Sequence, residues 1–189
     1  MKRFSLAIGV LLLASVAHAS IVTLSGTLSG ANESPANASP ATGFASFTVD
    51  TVALTINENI SFSGLSAPDT AAHIHCCVPI GGNTGVATAV PVLPGFPVGV
   101  TSGTYANQMF SLLDPAFYNP AFITANGGTV FSAEPVFLAG LLSGQAYFNI
   151  HDANFPGGEV RAFLTPEPGT LILVGLALAG LTLKRRGAR

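Results

Sequence analysis

The chain has no tryptophan, and its two cysteines are neighbours, Cys76 and Cys77. Charged side chains make up only 8% of its 189 residues. Each shortage excludes something. One adjacent cysteine pair cannot build the long-range disulfide framework of a small secreted domain. Without tryptophan there is no aromatic sugar platform beside the carboxylates Asp152 and Glu159, which argues against a glycosidase pair. Lys2 and Arg3 lie at one end and Lys184, Arg185, Arg186 and Arg189 at the other, leaving Arg161 as the single cation between them. With no lysine in the body, Gly81-Gly82-Asn83 cannot act as a phosphate loop. With no basic patch, nucleic acid is excluded as a partner. Residues 20–165 hold every acidic residue except Glu167, a net charge of about −7 in a chain that sums to −2. Solubility then comes from Ser, Thr, Asn and Gly and from mild self-repulsion, which suits an extracellular protein.

The two ends are uncharged runs with basic flanks. Lys2 and Arg3 precede an apolar run over 6–16, and Ala17-His18-Ala19 has the small-x-small form read by signal peptidase. The pattern predicts a signal peptide over 1–19, cut between Ala19 and Ser20. At the other end stand Pro166, Glu167 and Pro168, then an uncharged run over 169–183, then Lys184, Arg185 and Arg186. As a helix, 170–183 would rise about 21 Å, short of a hydrocarbon core of roughly 30 Å. That suits a removable anchor, with a permanent one-pass anchor as the alternative. The basic end stays inside and the body lies outside. The tail resembles the PEP-CTERM sorting signal of exopolysaccharide-producing Gram-negative bacteria. The resemblance implies recognition by an exosortase-type enzyme, transient membrane anchoring, and delivery to the cell surface or extracellular matrix.

Between the ends lies one domain, 20–165. Short alternating runs recur at 21–28, 43–49, 52–56, 60–63, 71–75, 86–90, 99–105, 146–151 and 159–164, separated by Gly, Pro, Asn or Asp. This predicts an all-β, antiparallel two-layer sandwich. Pro156-Gly157-Gly158 should close the last two runs as a hairpin. Asn119 as N-cap, Pro120 at the first helical position and Gly127 at the end predict a short helix. A second is expected over 132–142, capped by Ser132 and weakened by Gly140. Both precede the last hairpin, and hydrophobic helices are expected at the two termini.

The ordered set Leu28-Ser29-Gly30-Ala31-Asn32-Glu33-Ser34-Pro35, Ala41-Thr42-Gly43, Phe62-Ser63-Gly64-Leu65, Ala72-His73-Ile74-His75, Tyr147-Phe148-Asn149-Ile150-His151 and Pro156-Gly157-Gly158-Glu159-Val160-Arg161 resembles the chordin-type (CHRD) domain. Ser34 and Ala162 depart from its usual pattern. The resemblance implies a β fold and an extracellular setting, with no established catalytic activity in bacteria.

Residues two apart on a strand share a face. His73 and His75 therefore point one way and Ile74 the other. Tyr147, Asn149 and His151 share a face, as do Glu159 and Arg161, and hairpin pairing places His151 near Glu159. One sheet would then gather His73, His75, His151, Asn149, Glu159 and Arg161. Two explanations compete. The first is a structural polar network of Asn149, Glu159 and Arg161, in which the lone cation takes Glu159 or a loop carbonyl as partner. The second is a zinc or copper site on His73, His75 and His151. Cys76 and Cys77, in an oxidising compartment, could form a vicinal disulfide, join chains as thiols, or add soft ligands. The expected function is that of an exported, non-enzymatic structural or adhesive domain without cofactor. Its partners would be signal peptidase, the sorting enzyme, the membrane through the tail, and extracellular polysaccharide or surface proteins. The alternative is a metal-binding or redox module.

Overall fold

The computed structural model describes residues 21–167. The expected cut between Ala19 and Ser20, the two terminal hydrophobic helices, and Pro168, Lys184, Arg185 and Arg186 lie outside the described residues. Among the described residues, no helix is long and apolar enough to cross a membrane.

Eight strands form one antiparallel sheet: β1 (Ile21–Ser29), β2 (Thr42–Asp50), β3 (Thr55–Ser63), β4 (Asp69–Cys76), β5 (Gly103–Ser111), β6 (Ala146–Asp152), β7 (Val160–Phe163) and β8 (Thr165–Pro166). Their order is β4-β6-β7-β1-β2-β3-β5, with β8 beside β1. Period-two alternation turns Leu24, Phe47, Val49, Ile56, Ile74, Phe148 and Ile150 inward, and all are fully buried. Each such side chain contributes roughly 1.5–3 kcal/mol through burial. Phe47 on β2 and Phe148 on β6 are three strand steps apart, about 14 Å in a flat sheet. Their ring centroids lie 6.1 Å apart. The two layers are thus halves of a single sheet that curls over its own core. The segment before β5 covers the open seam: Leu93 N–H donates to Ala72 O (2.8 Å) and Asp69 N–H to Val100 O (3.0 Å).

Local chemistry moves several boundaries. The Asp50 Oδ1 atom accepts the N–H groups of Val52 and Ala53, both at 2.9 Å. That makes 51–54 a turn instead of strand. Residues 86–90 form only isolated bridges, partly because the Thr88 hydroxyl takes the Ile74 N–H that a partner strand would use. Helix α1 (Pro120–Ala125) starts at Asn119 as expected, the side chain accepting from Ala121 N–H. Helix α2 (Val130–Leu142) begins two residues before the expected start. Thr129 is its N-cap, and Ser132 sits at the third helical position, completing a capping box.

Gly140 is a contact residue and not a weak point of α2. A Cβ there would run into both sulfurs of the disulfide that joins Cys76 to Cys77. In an open helix Gly→Ala gains about 1 kcal/mol. Overpacking against a rigid neighbour costs roughly 1–3 kcal/mol, which wins. Gly140→Ala is therefore expected to lower the melting temperature by a few degrees; a rise, the propensity result, would contradict this packing.

Candidate metal centre

The register of three neighbouring strands builds the site. His73 on β4 lies opposite Asn149 on β6, and Asn149 lies opposite Arg161 on β7. Ala71 faces His151, and His75 faces Tyr147. The intervening residues Ile74, Phe148, Ile150, Val160 and Ala162 fill the core. The polar face they leave behind is roofed by the turn after β1 and by the loops around residues 82–91 and 152–158. His73, His75, Asn149 and Arg161 are consequently buried, and His151 is half-buried.

Three imidazoles converge under this roof. Each Nδ1 faces a backbone carbonyl: His73 that of Pro91 (3.1 Å), His75 that of Thr84 (2.7 Å) and His151 that of Pro156 (3.0 Å). A carbonyl oxygen can only accept, so each Nδ1 carries the ring hydrogen and each Nε2 a lone pair. Those inner nitrogens approach one another, His73 Nε2 and His151 Nε2 to 3.0 Å. The potential ligand atoms of the three residues lie within 4.8 Å. His75 Nε2 is buried without a hydrogen-bond partner. Burial pushes the imidazole pKa down to about 3 at His73 and to about 4 at His75, and lowers it at His151. Positive charge on His75 or His151 would add to this at His73, as Arg161 does at His151. The three rings are neutral near pH 7.

Arg161 anchors the next position along the row. Its Nε donates to Glu33 Oε2 (3.0 Å), Nη1 to Gly82 O (3.1 Å) and Nη2 to Asn83 Oδ1 (2.8 Å). Nη2 also lies 2.8 Å from Glu33 Oε2 in a buried ion pair. The guanidinium carbon stands 3.9 Å from the Tyr147 ring centroid, and the same ring stacks on His75 at 4.6 Å. Burial pushes the Glu33 carboxyl upward, and the Arg161 charge and the Asn149 amide offset only part of that.

The structure brings His73, His75, His151, Asn149 and Arg161 together but not Glu159. Gly158, at φ +123°, and the bend at Glu159 break strand alternation. The Glu159 carboxylate instead accepts from Ser39 Oγ (2.6 Å) and Ser66 N–H (2.9 Å). The expected loop-carbonyl partner of Arg161 is Gly82; its carboxylate is Glu33, missed in the sequence. The available signal was arithmetic: a lone internal cation needs an anion, and Glu33 sits in a turn between Gly30 and Pro35. Cys76 and Cys77 are joined to each other at the end of β4, so neither thiol is free to ligate.

The family model for the CHRD domain matches residues 24–164, and that for the PEP-CTERM protein-sorting motif matches residues 164–186. No curated protein and no solved structure matches the chain.

Proposed function

The chain belongs to the CHRD domain family, and we propose that it is a non-enzymatic structural or adhesive unit of the outer surface or of an extracellular polysaccharide matrix. Its C-terminal motif marks it as an exported protein sorted by an exosortase-type enzyme through a transient membrane anchor. The observation that carries the proposal is the junction between domain and motif. Thr165 and Pro166 pair with Ser25 and Leu24 of β1, and Glu167 N–H donates to Thr23 O (3.0 Å). The first residues of the motif are zipped to the first strand, with no linker. A domain held this closely presents that end of β1 to the membrane. The opposite end, with the loops after β1, β3 and β6, faces outward.

Carboxylates at the outward end serve the loops. Asp152 Oδ2 accepts from Ser66 Oγ and Ala67 N–H, each at 2.8 Å, and Oδ1 accepts from Phe155 N–H. Asp69 Oδ1 accepts from Val100 N–H (2.8 Å). These contacts brace the loops of that end, which supports a rigid display surface. Removing residues 168–189, which leaves β8 intact, is expected to yield a folded, soluble domain whose surface-retained fraction falls severalfold on cell fractionation. Unchanged retention would refute the proposal.

A further inference from the structure

The geometry points to a mononuclear zinc or copper site in which the Nε2 atoms of His73, His75 and His151 are the ligands. Such a site is separate from any display role at the cell surface and follows from how the hydrogen-bonding atoms are arranged.

All three rings are turned so that Nδ1–H is used by a backbone carbonyl. That second partner is what fixes the tautomer and aim of a metal-bound imidazole. The consequence is a surplus of electron pairs. His151 Nε2 faces both His73 Nε2 (3.0 Å) and Asn149 Oδ1 (2.9 Å). Flipping the Asn149 amide would turn its oxygen instead toward the neighbouring Glu33 carboxylate, another acceptor. His75 Nε2 adds a buried lone pair with no donor. Leaving a buried acceptor unpartnered in this way is destabilising. A cation bound by all three nitrogens would use the three inward lone pairs at once and place positive charge beside the Asn149 oxygen.

The donor set also selects the ion. Three neutral imidazoles, with no carboxylate or thiolate among them, suit zinc or copper and disfavour calcium or magnesium. At a metal–nitrogen distance of about 2.0–2.1 Å, two tetrahedral ligand atoms stand about 3.3 Å apart. The His73–His151 pair is close to that spacing already, and the His75 ligand atom lies within 4.8 Å of both. Three protein ligands would leave a fourth position open, and Asn149 Oδ1 lies 2.9 Å from one of the three, His151 Nε2. The carbonyls that aim the rings belong to three different loop positions, Thr84, Pro91 and Pro156, so the ion also fastens the roof of the site to the sheet.

The test uses the full chain, stripped with a chelator and titrated with zinc, with copper(II), and with cobalt(II) as a spectroscopic probe. One equivalent should bind, raising the melting temperature in a way that chelator reverses. Bound cobalt should show the intense visible absorption of a four-coordinate site. His151→Ala, at the half-buried ligand and with its fold checked by circular dichroism, should weaken binding at least 100-fold. Pulsed electron paramagnetic resonance of the wild-type copper form needs no variant and should count three imidazoles. Less than a tenth of an equivalent bound by the wild type, no imidazole signal, or undiminished binding by folded His151→Ala would each overturn the assignment.

Discussion

Replacing Arg161 by alanine is expected to destabilise the domain by about 3–5 kcal/mol, a fall in melting temperature of about 10 °C or more. The guanidinium is 2% exposed and holds the buried Glu33 carboxylate, the Gly82 carbonyl and the Asn83 amide together. Truncation leaves Glu33 buried without its counter-charge and frees the loop that carries Thr84, the carbonyl partner of His75. Arg161→Lys should rescue little, because an ammonium cannot reach three differently placed acceptors and the Tyr147 face together. Changing both partners, Arg161→Met with Glu33→Gln, should cost less than Arg161→Ala alone, because no buried charge is then left unpaired. Urea unfolding of the four proteins checks the order. Equal stability of wild type and Arg161→Ala would show that the buried pair is dispensable.

The second large effect concerns Glu58. Its side chain sits in the inward row of β3 with Ile56, Ile60 and Phe62, fully buried. Neither carboxylate oxygen has a hydrogen-bond partner. Burial pushes its pKa well above the ordinary 4.5, opposed only in part by nearby Tyr105. The folded state therefore holds this proton more tightly than the unfolded chain does. Its contribution to stability is fully present below about pH 4.5 and is lost as pH rises toward the folded-state value. Glu58→Gln should remove that share of the downward slope. Glu58→Leu should raise stability at pH 8 by roughly 1–3 kcal/mol, the cost of an unsatisfied buried polar group. Thermal melts between pH 4.5 and 9 measure both, and superimposable profiles for the three proteins would contradict the assignment.

Glu58 also marks how far the sequence could be read. The alternating runs at 52–56 and 60–63 stop on either side of it, and the structure joins them through it into β3, with its side chain in the inward row. The curl of the sheet hides the relation between Phe47 and Phe148, which period-two patterning places on inward faces without saying that they meet. Where the controlling chemistry is local, the sequence is legible. Asn119 and Pro120 start a helix, Pro156-Gly157-Gly158 closes a hairpin, and His73 and His75 share a face with Ile74 opposite. Where it is distant, the sequence is silent. Nothing near Arg161 points to Glu33, 128 positions away. No pattern shows that the loop carbonyls of Thr84, Pro91 and Pro156 turn three imidazoles toward one point. Glu159 departs for a different reason: strand alternation begins only one residue after it, at Val160, because a bend at Glu159 follows a glycine at positive φ.

Intact-mass spectrometry of the protein recovered from outside the cell tests the central claim most directly, that this β domain is cargo carried between two removable address segments. The expected species begins at Ser20 and lacks the hydrophobic run after Pro168. A chain of all 189 residues, found in the cytosol with both ends retained, would contradict it.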